Sequence, residues 1–290
     1  MSHRILLAAA VGILLAGSAL AAPDLSIADL VTKNLAARGG TESLAALKSV
    51  RFDGKLIFPG DFQLTYQETR ARGDKSDSVR VDAALQGLTV IQAYDGSIGW
   101  RINPFEGRKD AERMSNDEAR ALADSGRLDG AMLSARAEGS TLTALGREDF
   151  DGTLAYKLKV SEKDGDEFVY LIDPDSWLEI KLTETRKLRG AQQVTEYEFG
   201  DYQAVGGVMY PMSVESWPLG RDSDRQRTII ATATTNPPVT RALFAMPMGP
   251  KAAQGAAGTS GQADAAQGAA RPPGEVLPTD PKPATSPKGK

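Results

Sequence analysis

Residues 154–173 read LAYKLKVSEKDGDEFVYLID, and this stretch decides the fold class. In its first half apolar and polar side chains alternate, and the apolar ones are Tyr156, Leu158 and Val160. Alternation with a period of two is typical of a β-strand with one buried face. The pair Asp164-Gly165 in the middle favours a tight turn. The stretch therefore predicts an antiparallel β-hairpin.

Similar strand and turn patterns continue on both sides of this hairpin. Residues 92–105, QAYDGSIGWRINPF, place the turn pair Asp95-Gly96 between two apolar segments. Asn103-Pro104 then ends the second of these segments. Roughly a dozen such strands joined by turn signals are typical of an antiparallel meander or barrel. The chain is therefore predicted to be mainly β.

Two segments have helical patterns instead. Residues 26–40, SIADLVTKNLAARGG, predict one helix, and Thr41 begins a second short one. Residues 115–126 have Ser115 as N-cap and Glu118 as the partner of a capping box. The strands are polar on one face only, so their apolar face must be covered. We expect a curved antiparallel sheet that forms an incomplete half-barrel, with these helices as a lid or plug over an apolar concavity.

The two ends of the chain differ from this domain. Residues 1–21 contain a basic residue, a short apolar run and the small-residue site Ala19-Leu20-Ala21, which predict a cleaved secretory signal peptide. A membrane anchor is the alternative, but the apolar run is too short to span a bilayer. Residues 251–290 are rich in Ala, Gly and Pro, and they predict a disordered tail. The folded domain is therefore assigned to residues 22–250.

Composition excludes several kinds of chemistry. The chain has no cysteine, and its single histidine, His3, lies in the predicted signal peptide. A mature chain without Cys and His has no Ser-His-Asp or Cys-His catalytic site and no thiolate or imidazole zinc site. The net charge of -4 argues against nucleic acid as a partner. We expect no cofactor and no metal.

Charged clusters offer the remaining candidates for chemistry. Acidic residues group at 164–167, 173–175 and 222–224, where they could bind calcium or form an acid–base pair. Each group also falls where a turn is expected, and we interpret all three as turns. Residues 184–190, ETRKLRG, hold three basic side chains. We interpret them as an exposed edge strand protected by charge, with a docking patch as the alternative.

Five stretches of the chain carry a family resemblance. They are NLAARGGTESLAALKSVRFDGKL (34–56), AYDGSIGWRINPF (93–105), YLIDPDSWLEIKL (170–182), DYQAVGGVMYPMSVES (201–216) and NPPVTRALFAMP (236–247). Together they resemble the periplasmic outer-membrane lipoprotein-sorting proteins, which are LolA-like in the broad sense. The order and spacing of the stretches make the case, rather than any one motif. The helical insert at 114–137 and the long tail depart from the minimal family pattern.

The resemblance implies a LolA-like half-barrel whose cavity shields acyl chains of a lipoprotein or lipid in the periplasm. It also implies an inner-membrane donor protein, an outer-membrane acceptor protein, a monomer and no enzymatic activity. The alternatives are a lipoprotein-sensing regulatory module of the envelope stress response and a carboxylate-dependent envelope hydrolase. The predicted lipid-binding residues are apolar side chains of the strands and the first helix: Leu30, Val31, Leu64, Tyr66, Trp100, Ile102, Leu158, Val160, Tyr170 and Ile180.

Overall fold

The computed structural model describes residues 25–247, and their fold is mainly β, as predicted. The predicted signal peptide (1–21) and tail (251–290) lie outside the described residues. Thirteen strands form one antiparallel sheet in the order β6-β5-β4-β3-β2-β1-β13-β12-β11-β10-β9-β8-β7. The sheet is not closed, because β6 and β7 are its two edges. The incomplete barrel predicted from the sequence is therefore confirmed.

The strands are β1 (Ser49–Phe58), β2 (Phe62–Ala71), β3 (Ser78–Leu85), β4 (Leu88–Tyr94), β5 (Gly99–Asn103), β6 (Arg108–Arg113), β7 (Thr141–Phe150), β8 (Thr153–Ser161), β9 (Glu167–Ile172), β10 (Glu179–Leu188), β11 (Ala191–Val205), β12 (Val208–Pro218) and β13 (Gln226–Thr235). The helices are α1 (Ile27–Ala37), α2 (Gly40–Ala46), α3 (Asn116–Ser125) and α4 (Gly130–Glu138).

The hairpin predicted at residues 154–173 is β8 and β9. Leu158 pairs with Tyr170 and Val160 pairs with Phe168, so four apolar side chains share one face. Gly165 in the connecting turn has a φ of 96°, a left-handed conformation that glycine adopts without steric cost. Gly96 in the Asp95-Gly96 pair also has a left-handed φ, of 94°. The turn predicted between β4 and β5 is therefore confirmed.

Helices α1 and α4 cover one part of the concave face. Leu30 of α1 and Met132 of α4 belong to the same buried cluster as Leu158 and Val160 of β8. Burial of this cluster removes most of its apolar area from water, which stabilises the fold. Ser26 is the N-cap of α1, and its hydroxyl accepts a hydrogen bond from the backbone N–H of Asp29.

Helix α3 bridges the two arms of the sheet. It contacts β3, β4 and β5 on one side and β10 on the other. Its N-terminus has the capping box predicted from Ser115 and Glu118. We call α3 the lid. Among residues 25–247 there is no helix with both the length and the apolar character needed to cross a bilayer.

One local prediction is wrong, and one strand was not predicted. The first five residues of the segment ETRKLRG belong to β10, which lies between β9 and β11 and not at an edge. Arg186 within it is only 4% exposed, so it is not a solvated edge residue. Between Asn103 and the lid the chain also forms β6, a short edge strand that the sequence pattern did not indicate.

Residues 236–247 form a C-terminal segment that packs on the outer face of the sheet. The side-chain amide oxygen of Asn236 accepts a hydrogen bond from the backbone N–H of Lys48 at 2.7 Å. Further along, the carbonyl oxygen of Leu243 accepts from Nη1 of Arg80 at 3.1 Å. Met246 packs against the buried cluster that contains Ala93. The apolar outer surface of β4 and β5 is thereby covered.

Candidate functional site

The concave face lines a partly open cavity of about 330 Å³, which we call the main compartment. Strands β1, β2 and β9–β13 form its walls, and the chain around the end of α3 and the start of α4 covers it. A recess of about 190 Å³, the side compartment, lies between the lid and strands β2–β5 and β10–β11. The compartments share the lining residues Tyr66, Glu68, Arg70, Ser125, Glu184, Arg186 and Tyr197. They are therefore two parts of one cavity.

Aromatic and aliphatic side chains make much of the wall of the main compartment. Phe52 and Tyr210 meet edge to face with ring centroids 5.2 Å apart. Tyr197 and Phe199 stack on β11 at 6.4 Å. Further apolar and aromatic lining residues are Val50, Leu128, Ala131, Phe168, Tyr170, Leu182, Tyr202, Val214 and Ile230. Such a wall favours contact with an apolar ligand.

Two identical tripeptides bring charge into this cavity. They are Glu68-Thr69-Arg70 on β2 and Glu184-Thr185-Arg186 on β10, and we call them the two Glu-Thr-Arg segments. In each, the strand period of two puts the glutamate and the arginine on the concave face. All four charged side chains line both compartments.

Arg186 is the more buried of the two arginines. Its guanidinium donates to Asp124 of the lid at 2.6 Å, to Asp166 at 2.7 Å and to Glu184. Burial lowers the pKa of Arg186, but these carboxylates raise it by more, so the net shift is upward and the side chain stays charged. Since Asp124 lies in the last turn of the lid and Arg186 lies on β10, this cluster ties the lid to the sheet.

Arg70 lies in a less crowded setting. Its Nε donates to Glu68 at 2.5 Å, and its guanidinium lies 5.7 Å from the ring centroid of Phe52. The other oxygen of Glu68 accepts a hydrogen bond from the Tyr66 hydroxyl. Burial and the neighbouring Glu68 raise the pKa of Tyr66 well above its ordinary value, so the hydroxyl remains a donor.

The opposite end of the lid is held by Glu118. Its carboxylate accepts hydrogen bonds from the backbone N–H and the hydroxyl of Ser115 and from Arg189, and it lies 3.1 Å from Nη1 of Arg101. Partial burial raises the pKa of Glu118, but these partners lower it further, and it falls to about 2. Both ends of the lid are therefore fixed by charged contacts.

Seven of the ten predicted lipid-binding residues fall into three groups on the concave side of the sheet or in the core next to it. Tyr66 and Tyr170 line the main compartment. Leu30, Leu158 and Val160 lie in the adjoining packed core, and Val31 packs against it. Leu64 belongs to a separate small cluster with Ala83.

Trp100 and Ile102 lie on the face opposite to the cavity, which corrects their predicted place. Gln92 of β4 pairs with Arg101 of β5, and both line the side compartment. Because side chains alternate along a strand, Trp100 and Ile102 point outward. There they pack with Met246 of the C-terminal segment.

Ile180 is also misplaced by the sequence pattern. The pairing of β10 with β9 shifts between Glu179 and Lys181, so Ile180 is the extra residue of a β-bulge. Glu179 and Leu182 line the cavity on either side of it. The bulge interrupts the alternation of side chains between the two faces of β10, and the prediction for Ile180 depended on that alternation.

The acidic groups mostly behave as turn residues. Asp173 accepts hydrogen bonds from the backbone N–H groups of Asp175 and Ser176, and residues Asp222–Asp224 form an exposed 3₁₀ turn. Asp166 differs, because it is 1% exposed and bonded to Arg186. Across residues 25–247, no group of three or more acidic, His or Cys side chains is placed to hold a metal ion.

Sequence reasoning missed most of the charged lining, although two signals were available. Once Tyr66 is placed on the concave face, the strand period puts Glu68 and Arg70 there as well. The repetition of Glu-Thr-Arg at 184–186 is a second hint of a shared role. Tyr197 and Phe199 alternate with Glu196 and Glu198. This pattern indicates that the two aromatic side chains lie on the same side of the strand, but not that this side lines the cavity.

No protein-family model matches the sequence, and a search of the curated proteins finds no match. Solved structures do match. A DUF1329 family protein from Desulfovibrio piger aligns with a TM-score of 0.55 and 10% identity, over 76% of this chain and 97% of that one. A LolA superfamily protein from Nitrosomonas europaea aligns with a TM-score of 0.51 and 11% identity, over 77% and 98%.

A domain from Vibrio parahaemolyticus, described as an outer membrane lipoprotein-sorting protein, aligns with a TM-score of 0.51 and 10% identity, over 74% of this chain and 94% of that domain. At such low identity the likeness concerns the fold alone. The sequence resemblance and the structural one agree, and the described part of the chain has a LolA-like fold.

Proposed function

We propose that the protein is a periplasmic carrier that holds an acyl chain of a lipoprotein or lipid inside its half-barrel, in the service of outer-membrane lipoprotein sorting. The observation that supports this is the cavity of about 330 Å³ whose wall is largely aromatic and aliphatic. Each methylene transferred from water to such a wall contributes about 0.8 kcal/mol. A chain in the cavity would therefore be held without any catalytic group.

The size of the cavity limits the cargo. Ligand pockets span roughly 300 to 1,000 Å³, and the main compartment lies at the lower end of that range. We infer that the closed form accommodates one acyl chain rather than several. A larger cargo would require the lid to move away from β10, which means separating Asp124 from Arg186.

A non-catalytic role is favoured by the ion pairs that carboxylates in the cavity form with arginines. Glu68 and Glu184 each accept a hydrogen bond from the arginine two residues further along the strand. Asp124 is likewise bonded to Arg186. An acid–base pair for hydrolysis needs two carboxyl groups that can reach a substrate, whereas each of these three carboxylates is already engaged by an arginine.

Release of a tightly held chain needs a partner. The acyl chain leaves the carrier only if a partner binds the open state of the carrier more tightly than the closed state, or if the partner offers the chain a more favourable apolar site. We therefore propose that a donor protein at the inner membrane opens the lid and that an acceptor at the outer membrane takes the chain.

The test is native mass spectrometry of the protein purified from a periplasm, combined with titration of a fluorescent fatty acyl probe. A co-purifying acyl lipid or lipoprotein, displaced by the probe at a ratio of one to one, is the expected result. Repeated recovery of an empty protein that also fails to take up the probe would refute the proposal.

A further inference from the structure

Tyr210 places an unusual polar group at the wall of the main compartment. The side chain lies on β12 and is only 6% exposed. Its hydroxyl is buried and has no hydrogen-bond partner among the described residues. Burial raises the pKa of Tyr210, so the hydroxyl keeps its proton and remains a donor. A buried donor without an acceptor is costly, and a ligand acceptor would remove that cost.

Two arginines line the same compartment as this hydroxyl. Arg70 and Arg38 both line the main compartment, and their positive charges oppose the rise in the pKa of Tyr210. The charge of Arg72 also opposes the rise in the pKa of Tyr210. Both terminal nitrogens of Arg72, however, donate to Asp129 at 2.9 Å. Arg72 is therefore already engaged, and it is not among the residues that line the main compartment.

Arg38 and Arg70 are less fully paired than Arg186. Arg38 meets Glu179 at 3.4 Å, and Arg70 meets Glu68 through Nε at 2.5 Å. Arg186, by contrast, is bonded to three carboxylates. A guanidinium has five N–H donors, so one carboxylate partner leaves donors for a second acceptor. We call Arg38, Arg70 and Tyr210 the basic corner of the cavity.

The basic corner adjoins the apolar wall. Phe52 contacts both the Tyr210 ring and the Arg70 guanidinium. Ile230 and Leu128 line the same compartment. A ligand that reached the basic corner with a polar group would therefore lay its apolar part against these side chains.

We propose that the basic corner binds the anionic group, a phosphate or carboxylate, of a single-chain amphiphile whose acyl chain occupies the main compartment. This rests on the proposed acyl-binding function and specifies its cargo. Charge-assisted hydrogen bonds from Arg70 and Arg38 hold the anion, and the Tyr210 hydroxyl donates to a third lone pair. The polar end of the cargo is therefore inside the protein and not in solvent.

The test compares four probes by calorimetric titration: laurate, dodecyl phosphate, neutral monolaurin with the same chain length, and inorganic phosphate alone. Laurate and dodecyl phosphate should bind more tightly than monolaurin, and inorganic phosphate should bind weakest. Arg70→Gln should weaken both anionic amphiphiles roughly ten- to hundredfold and leave monolaurin unchanged. Tyr210→Phe, which keeps the shape of the wall, should weaken the anionic amphiphiles roughly three- to tenfold.

The matched control is Arg51→Gln, because Arg51 lies on the outer face of β1 and pairs with Asp53 two residues on. It should alter no affinity. If Arg70→Gln alone fails to fold, the double variant Glu68→Gln/Arg70→Gln removes the pair without leaving a buried charge, and it should show the same selective loss.

Three results would overturn the inference while leaving the acyl-binding function intact. They are equal affinity for all three chain-bearing probes, an equal loss of monolaurin and laurate in Arg70→Gln, and unchanged anion affinity in both Arg70→Gln and Tyr210→Phe. Inorganic phosphate bound as tightly as dodecyl phosphate would also overturn it, since the site would then recognise a free anion. Failure of every chain-bearing probe to bind the unaltered protein would refute the proposed function and this inference together.

Discussion

The indole Nε1–H of Trp100 donates to the carbonyl oxygen of Phe244 at 2.7 Å, which joins residues 144 positions apart in the chain. Trp100 is fully buried by this contact and by the C-terminal segment around it. The contact belongs to the outer face of the sheet, so Trp100 stabilises the fold and is separated from the cavity by the sheet itself.

Replacement of Trp100 by Phe should therefore lower stability and leave binding intact. The variant leaves the Phe244 carbonyl without its donor and creates a small void, which together cost about 2 kcal/mol. Urea unfolding measures the loss, and titration of the fluorescent acyl probe should give an unchanged dissociation constant. Weaker probe binding with unaltered stability would place Trp100 in the cavity after all.

Ile229 and Ile230 provide a matched pair for the acyl-binding proposal. They are adjacent on β13 and both half-buried, but Ile230 lines the cavity, and strand alternation turns Ile229 to the outer face. Ile230→Glu would place a charge against the acyl chain, and we expect at least a tenfold loss of probe affinity, about 1.4 kcal/mol or more.

Ile229→Glu is the control for that substitution. It introduces the same side chain one residue away, on the opposite face, and should leave probe affinity unchanged. Equal losses in the two variants would mean that the probe responds to general destabilisation and not to the cavity wall.

Arg186 should be the most sensitive of the charged residues. Arg186→Met leaves Asp124, Asp166 and Glu184 without their shared cation inside the protein. Removal of one partner of a buried ion pair costs about 3 to 5 kcal/mol. Chemical unfolding should show a loss of that size, whereas Arg51→Met, which breaks an exposed pair with Asp53, should cost less than about 1 kcal/mol.

Local signals predicted the strands, the turns and the lid. Asp95-Gly96 and Asp164-Gly165 encode hairpins through backbone conformation alone, and the Ser115–Glu118 capping box is complete within four residues of sequence. Such features depend on neighbours in the chain, so a single sequence reveals them. The half-barrel followed because strands with one polar face require a cover.

The orientation of Trp100 could not be predicted in this way. Both faces of β5 are buried, with the lid on one side and residues 236–247 on the other. An apolar residue fits either face, so the pattern does not distinguish them.

Arg186 was misplaced for a related reason. Its partners Asp124 and Asp166 come from distant segments, and without them a charged residue is expected in solvent.

Glu118 should give the lid a pH-dependent stability. Its pKa falls from 4.5 to about 2 in the folded protein. A carboxyl group with a lowered folded pKa stabilises the native state above its unfolded pKa, and that contribution disappears as the pH falls through the folded pKa. Glu118→Gln should therefore be less stable at neutral pH by about 1 kcal/mol, the usual size of a capping contribution. Free energies of unfolding measured at a series of pH values should show this difference narrowing between pH 4.5 and pH 2.

Glu112→Gln serves as the control, because Glu112 forms an exposed pair with Arg108 on β6 and should alter stability little at any pH. A constant difference across the whole pH range would show that Glu118 acts through packing of its side chain rather than through its charge.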